Sequence, residues 1–313
     1  MSEPGKTSGR PSGGGLRLRL PATSANLGPG FDAVAIALDF YLELDAEPAD
    51  EFSITATGRD AERCGRVEDN LVLETYKGIL VANDRPIVPL AIKMRNGIPL
   101  AMGCGSSAAG RLAAIALAVH FGQLAWSSER ILHEAYLLEG HPDNVAACWL
   151  GGFVAAACDG ETVRVAKVVP AADWRAIVVL PADPLPTSRA RAVLPASYPL
   201  GDVVANIQAV SMLGLAFAQG RADLLRIAMS DRIHQPYRAP ICKLLPLMLP
   251  LVGEHGILGA ALSGAGPAVL VVVEGEKALG RASAAIWDAL GGPGGAELLV
   301  CRFVPSGANQ TNV

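Results

Sequence analysis

The spacing of apolar and polar residues predicts both strands and helices along most of the chain. Leucine and arginine alternate over residues 16–20, which is the period of a strand with one buried face. Apolar residues recur at helical spacing over residues 70–83, and the run 108–121, rich in alanine and leucine, predicts a buried helix. Residues 21–30 follow neither the strand period nor the helix period, so they predict a loop.

The complete set of predicted elements indicates an α+β protein with two domains. Strands are predicted at 16–20, 34–45, 52–57, 90–94, 153–158, 163–169, 177–180, 257–262, 268–273 and 297–304. Helices are predicted at 70–83, 108–121, 129–138, 143–150, 201–219, 221–229, 240–254 and 276–290. Strands and helices do not alternate regularly, which favours the α+β class. Residues 1–15 are expected to form a disordered tail, and the domains are residues 16–165 and 166–305.

Composition excludes several classes of protein. The chain has 313 residues, of which 51% are hydrophobic and 18% charged, so it can bury a large core and is not a disordered protein. The formal net charge of −4 excludes general nucleic-acid binding, which needs a basic face, but allows a small anionic ligand. The uncharged run 256–273 contains Ser-Gly-Ala-Gly-Pro, so it predicts two apolar elements and a turn, not a membrane helix.

Cysteine usage and the first residues favour a cytoplasmic protein. The six cysteines form no CxxC pair and most lie among apolar residues, as buried thiols do in a reducing cytosol. The polar, glycine-rich start lacks the apolar run of a secretory signal. We therefore expect no membrane and no nucleic-acid partner, while the sequence leaves open whether the chain forms a homodimer.

A glycine–serine loop precedes the predicted helix 108–121 and suits a bound phosphate. Glycines at 103 and 105 allow close approach of the backbone, and the helix start supplies free N–H groups. The loop lacks the lysine of a Walker A motif, and no strand runs directly into it as in a dinucleotide-binding fingerprint. It also fails the GxSxG pattern of a serine hydrolase. A simple helix cap by Ser106 or Ser107 remains the structural alternative.

Three other segments concentrate polar side chains. Asn26 and Asp32 lie in a stretch dense in turn formers and could hold an ammonium or hydroxyl group, or form a plain turn. Glu139 lies at a helix break, where its carboxylate could bind Mg²⁺. Arg191 and Arg238 lie in irregular segments and could bind a carboxylate or phosphate in bidentate fashion, or lie on a solvated surface.

In combination, these segments resemble the GHMP small-molecule kinases. Three motifs carry the resemblance, in the family's order: PATSANLGPGFD at 21–32, PLAMGCGSSAA at 99–109 and SGAGPA at 263–268. Three more are similar to the homoserine kinase branch: EGHPDNVA at 139–146, TSRAR at 187–191 and HQPYR at 234–238. The resemblance spans about residues 16–305.

The resemblance implies a fold and a reaction. The N-terminal domain would be like domain 2 of ribosomal protein S5, the C-terminal domain would be ferredoxin-like, and ATP would bind between them. With Mg²⁺ present, the γ-phosphoryl group of ATP would pass to the hydroxyl of L-homoserine. The product would be O-phospho-L-homoserine, on the route of threonine biosynthesis.

The resemblance also implies roles for individual residues. The nucleotide would be held by Pro99, Leu100, Ala101, Met102, Gly103, Cys104, Gly105, Ser106, Ser107, Ala108 and Ala109. The substrate would be held by Asn26, Asp32, His141, Arg191 and Arg238, with Asp32 at its amino group and the arginines at its carboxylate. Ser106 and Glu139 would be ligands of Mg²⁺, and Thr187 would lie close to the transferred phosphate.

One departure from the family's pattern and the question of the base bear on mechanism. Cys104 stands where the family usually has leucine or methionine, and we expect it to act as a small hydrophobe. Related kinases such as mevalonate kinase use an aspartate as base, whereas in the homoserine kinase branch the matching position is an asparagine, which the resemblance assigns here to Asn144. We therefore expect the substrate hydroxyl to lose its proton late, with positioning and charge neutralisation carrying the transfer. The alternatives are a kinase of another small alcohol and a non-catalytic metabolite-binding protein of the same fold.

Overall fold

The computed structural model describes residues 14–160 and 162–312. Its strands are β1 (Leu16–Asn26), β2 (Gly30–Pro48), β3 (Ser53–Gly58), β4 (Leu90–Asn96), β5 (Phe153–Cys158), β6 (Val163–Val168), β7 (Arg175–Pro181), β8 (Ile257–Leu262), β9 (Val269–Val273), β10 (Ala296–Arg302) and β11 (Asn309–Asn312). Its helices are α1 (Ala61–Cys64), α2 (Leu71–Ala82), α3 (Ser106–Phe121), α4 (Ser128–Glu139), α5 (Asp143–Leu150), α6 (Thr187–Ala192), α7 (Leu200–Gln219), α8 (Ala222–Ala228), α9 (Gln235–Arg238), α10 (Leu245–Met248) and α11 (Leu279–Leu290). Strands and helices mix as the α+β prediction requires.

The first sheet has seven strands and is organised around β2. The order is β11-β1-β2-β4-β3, and β5 joins β2 on one side and β6 on the other. β2 is 19 residues long, so its first part pairs with β5 while its last part pairs with β4. The alternation predicted for the start of β1 is present, because Leu16, Leu18 and Leu20 are buried and Arg17 and Arg19 are exposed.

Four helices of the N-terminal half contact this sheet, namely α1, α3, α4 and α5, and α2 packs on α3. α3 contacts α2, α4, α5 and β1. Its Ala108, Ala109, Ala113 and Ala116 are buried, and these small side chains allow neighbouring backbones to come close. This packing fixes where α3 begins, which is at the glycine–serine loop.

The second sheet has four antiparallel strands in the order β10-β7-β9-β8. Alternate residues of its central strands enter two different cores. Val178 and Leu270 join the core of the first sheet, whereas Ile177 and Val271 pack with α10 and α11. Burial on both faces explains why β9 is an unbroken run of apolar residues.

Several predicted boundaries were wrong. Residues 21–26, predicted as loop, continue β1, because Ala22 to Ala25 pair with β2 beyond a register shift at Pro21. The helix predicted at 240–254 is reduced to α10 and a 3₁₀ turn, Leu249–Leu251, in a segment that contains Pro246 and Pro250.

Four short elements were not predicted from the sequence: α1, α6, α9 and β11. β11 returns to pair with β1, beyond the end predicted for the second domain. We propose that the domain boundary lies in the connection 169–174 between β6 and β7. The predicted tail falls largely on residues 1–13, outside the described part of the chain.

Helix α7 is long and apolar, and 28% of its most apolar 18-residue stretch is buried. Within residues 14–160 and 162–312 it is the one helix whose length and composition would suffice to cross a membrane. It packs against α8, β5 and β6, and Phe217 stacks on Phe153 with ring centroids 4.9 Å apart. The run 256–273 forms β8, a turn and β9, as predicted.

Candidate active site

A cleft of about 480 Å³ lies where the loop before α3, the α4–α5 junction, α6 and the β8–β9 turn meet. Most predicted site residues line it: Asn26, Asp32, Leu100, Ala101, Gly103, Gly105, Ser106, Ser107, Ala108, Glu139, His141, Asn144, Thr187, Arg191 and Arg238. Four residues of the predicted nucleotide loop are not among its lining residues: Pro99, Met102, Cys104 and Ala109. The chain therefore brings together segments more than 200 positions apart in sequence.

The glycine–serine loop is held from behind by the β8–β9 turn. The hydroxyl of Ser263 donates a hydrogen bond to the carbonyl of Gly103 at 2.7 Å. Gly103 has φ +81°, and a Cβ there would lie 2.0 Å from the carbonyl oxygen of Ser263, so only glycine fits. Gly105 caps α3 with φ +73°, no side chain bonds the first N–H groups of the helix, and its first residues line the cleft. This is the geometry of an anion site.

Cys104 lies behind this loop, as the prediction of a small hydrophobe requires. It is 1% exposed, and burial raises the pKa of its thiol to about 12. Its carbonyl accepts a hydrogen bond from the backbone N–H of Thr23 at 3.1 Å, which ties the loop to β1.

Glu139 ends α4 beside the first turn of α3. Its carboxylate accepts a short hydrogen bond from the hydroxyl of Ser107, and Nε of Arg111 lies 2.7 Å from the same oxygen. Ser106, the predicted metal partner of Glu139, precedes Ser107 on that turn and also lines the cleft. Hydroxyl and carboxylate oxygens are the ligands that Mg²⁺ prefers, so this donor set fits the implied metal.

Asp32 and Arg191 form a bidentate ion pair at the other end of the cleft. Nη1 and Nη2 of Arg191 lie 2.9 Å and 2.7 Å from the two carboxylate oxygens. The hydrogen bond to Asp32 raises the pKa of Arg191 despite its partial burial. Asn26 fixes this corner, because its Oδ1 accepts from the N–H of Asp32 at 3.0 Å and its Nδ2 donates to the carbonyl of Gly264 at 2.8 Å.

Arg238 is buried, unlike Arg191. It is 1% exposed and donates from Nε to the carbonyl of Ala190 at 3.1 Å. Its Nη1 lies 3.1 Å from Nδ1 of His234, whose Nε2 lies 2.7 Å from the carbonyl of Gly28. His234 therefore donates to Gly28 and accepts from Arg238, which requires the neutral ring. Burial lowers the pKa of His234, in keeping with that state.

The α4–α5 junction brings a histidine and a buried carboxylate together. Nδ1 of His141 lies 2.7 Å from Oδ1 of Asp143, and the backbone N–H of Asn144 donates to the same oxygen at 2.7 Å. Burial alone would lower the pKa of His141, but the hydrogen bond and charge of Asp143, with Asp32 and Glu139 nearby, raise it. Atoms of Asp32, His141 and Asp143 lie within 4.8 Å of one another.

The cleft continues into an apolar end that sequence reasoning missed. Its lining there includes Leu42, Val72, Met94 and Ile98. Leu42, Val72 and Met94 belong to strands or a helix with the period of a core element, and Ile98 is a buried apolar residue in the loop after β4, so no local signal distinguishes these residues from the core. The flat, partly polar base of a nucleotide is the kind of group that such a slot can take.

Comparison with known proteins gives consistent results. A family model described as the GHMP kinases N terminal domain matches residues 70–152, and one described as GHMP kinases C terminal matches residues 215–290. A homoserine kinase of Solibacter usitatus is 43% identical over 260 residues, covering 83% of this chain and 85% of that protein. One from Moorella thermoacetica is 39% identical over 262 residues, with 83% and 88% covered.

Solved structures share the fold. A homoserine kinase from Cytophaga hutchinsonii superposes with a TM-score of 0.79 at 24% identity, covering 96% of this chain and 99% of that one. The mevalonate kinase of L. major, solved in complex with R-mevalonate, gives 0.68 at 16% identity, covering 98% and 100%. At these identities the likeness shows the fold alone.

Proposed function

Because the chain belongs to the homoserine kinase family of the GHMP kinases, we propose that this cleft transfers the γ-phosphoryl group of ATP to the hydroxyl of L-homoserine. One observation carries the assignment of the site. A bidentate Asp32–Arg191 pair lies in the same cleft as an anion-binding glycine–serine loop. An α-amino acid matches such a pair, because its ammonium and carboxylate can lie against the carboxylate and guanidinium in antiparallel fashion.

The nucleotide would occupy the loop end of the cleft. The triphosphate lies against the N–H groups of the loop and of the first turn of α3, where the helix dipole favours negative charge. The base reaches the apolar end beside Val72 and Met94. ATP is the co-substrate of the family, and this division of the cleft leaves its γ-phosphate facing the charged end.

Mg²⁺ would be held by Glu139 and the serine hydroxyls at the start of α3. When bound, it supplies positive charge that neutralises the β- and γ-phosphates. The chain's own part is to position the two reactants: Arg191 and Asp32 orient the amino acid, and Thr187, at the start of α6, lines the cleft.

The transfer itself needs little from a side-chain base. The substrate hydroxyl oxygen bonds to the γ-phosphorus, the bond from that phosphorus to the bridging oxygen breaks, and ADP leaves. The hydroxyl proton passes late to an oxygen of the transferred phosphoryl group. Asn144 cannot take a proton, and Asp143 is engaged by His141 and by the backbone of Asn144.

The Asp143→Asn variant tests this part of the proposal. An asparagine keeps the acceptor oxygen for the N–H of Asn144, so we expect turnover to fall by only about 10-fold. Loss of all turnover, with the fold and binding of L-homoserine intact, would identify Asp143 as a base.

The function is tested by ADP release from MgATP with a panel of acceptors. We expect turnover with L-homoserine, and little with L-serine, L-threonine, mevalonate or galactose. Turnover with another alcohol would keep the kinase chemistry and overturn the substrate assignment. ATP binding without turnover of any acceptor would favour a metabolite-binding protein. In keeping with this activity, we place the protein in the cytoplasm.

A further inference from the structure

The side chain of Thr23 lies between the glycine–serine loop and the α4–α5 junction. It belongs to β1 and is fully buried. Its hydroxyl lies 2.6 Å from Oδ1 of Asn144, which lines the cleft. On the basis of the proposed function, we propose that Thr23 is a positioning residue for the transfer: its hydroxyl holds the Asn144 amide so that the amide nitrogen faces the reacting groups.

Neighbouring charge determines which atom of the amide faces Thr23. Nδ2 of Asn144 lies 3.4 Å from Oδ1 of Asp143. Turning the amide over would put its oxygen against that carboxylate, and two acceptors would then repel each other. Oδ1 therefore points to Thr23, and the Thr23 hydroxyl must donate. Since only one of the two Nδ2 protons is directed to Asp143, the other is available to a group in the cleft.

Thr23 is held by its own backbone and by the loop that covers its side chain. Its backbone N–H donates to the carbonyl of Cys104, which ties the strand to the loop. A Cβ on Gly105 would lie 1.9 Å from Oγ1 of Thr23, which shows how closely the loop backbone covers the hydroxyl. A β-branched side chain is also stiff at χ1. The hydroxyl thus links the position of the phosphate loop to the orientation of the Asn144 amide.

The consequence for the reaction is a fixed hydrogen-bond donor at the transfer site. An N–H directed at the oxygen atoms that exchange the phosphoryl group stabilises negative charge there without any proton transfer. Without the Thr23 donor, only the 3.4 Å contact from Nδ2 to Asp143 would restrain the amide, and its N–H would be directed less closely at that charge. This explains how an asparagine can serve where related kinases carry an acid.

The test uses two substitutions at Thr23 in the full-length protein. Thr23→Val keeps the shape and removes the donor; we expect kcat to fall about 10-fold, while KM for ATP and for L-homoserine changes by less than about 3-fold. Thr23→Ser keeps the hydroxyl and should restore kcat to within about 3-fold of the unaltered protein. Melting temperatures report any loss of fold.

A double-variant cycle with Asn144→Ala shows whether Thr23 acts through Asn144. In that background Thr23→Val should change kcat by less than about 2-fold, because no amide is left to orient. An equal loss in both backgrounds, an unchanged kcat in Thr23→Val, or failure of a stably folded Thr23→Ser to recover would overturn the proposal. The unaltered protein's turnover of L-homoserine is measured in the same series, and its absence would overturn the proposed function itself.

Discussion

The two ends of the cleft are built by different means. The end proposed to bind phosphate, called the phosphate end, is one continuous segment whose glycines and serines line the cleft at the start of α3. The end proposed to bind the amino acid, called the amino-acid end, is assembled from β2, the α4–α5 junction, α6 and α9, and presents charged side chains. The first end depends on how closely the backbone can approach, and the second on which charges are paired. Substitutions should therefore fail differently at the two ends.

The largest effect is expected from Gly105→Ala at the phosphate end. The new Cβ would lie 1.9 Å from Oγ1 of Thr23 at a φ of +73°, so the loop must shift. We expect kcat/KM to fall at least about 100-fold, since a displacement of about 1 Å can cost that much.

Gly291→Ala is the matched control for this change. Gly291 has φ +74° at the end of α11, and no heavy atom of the described residues lies within 4 Å of its Cβ position. It carries the same backbone strain without the overlap, so steady-state kinetics should be unchanged. Equal losses in both variants would show that strain, and not close approach, governs the loop.

The second-largest effect is a loss of stability, which we expect from Arg238→Met at the amino-acid end. Arg238 is buried and bonded to Ala190 and His234, so its removal leaves buried acceptors unpaired. We expect the free energy of unfolding to fall by about 2–3 kcal/mol in denaturant titrations. Arg232→Ala, which removes an exposed partner of Asp202, should cost less than about 0.5 kcal/mol. Similar costs for both would contradict the structural role of Arg238.

The smallest effect concerns the pH dependence of stability through His141. Its folded-state pKa is raised above 6.5, so the pairing with Asp143 stabilises the protein fully below about pH 6.5 and is lost as pH rises through the folded pKa. Between pH 6.5 and 9, the unfolding free energy should therefore decline more in the unaltered protein than in His141→Gln, by less than about 1 kcal/mol. His234 acts oppositely, since its lowered pKa costs stability as pH falls below 6.5. An identical decline in both proteins would show that the pairing with Asp143 does not raise the pKa of His141.

The difference between a contiguous loop and a site assembled from distant segments also explains how much could be predicted from the sequence. The phosphate loop is contiguous, so Gly103, Gly105 and the start of α3 could be identified from local pattern. The α+β class and most strands were equally accessible, because periodicity is a local property. Residues 21–26 were predicted as loop because their small polar residues resemble a turn, whereas pairing with β2 makes them strand.

Contacts between distant segments could not be predicted from pattern. The pairing of Asp32 with Arg191 joins positions 159 residues apart, and only the family resemblance suggested that they share a site. Arg238 lines the cleft and stays a predicted substrate contact, but its hydrogen bonds to Ala190 and His234 depend on how α6 and α9 pack, which no local pattern shows. Thr23 lies within the PATSANLGPGFD motif, but no local pattern gave it a role, because its contact with Asn144 joins positions 121 residues apart.

The most direct test of the account compares L-homoserine with its carboxamide, in the unaltered protein and in Arg191→Ala. The carboxamide keeps the hydroxyl and ammonium and lacks the negative charge that Arg191 would bind. We expect the unaltered protein to favour L-homoserine by about 10–100-fold in kcat/KM, and this preference to collapse in Arg191→Ala. A preference that persists undiminished in Arg191→Ala would contradict the claim that this end of the cleft recognises an amino acid through its paired charges.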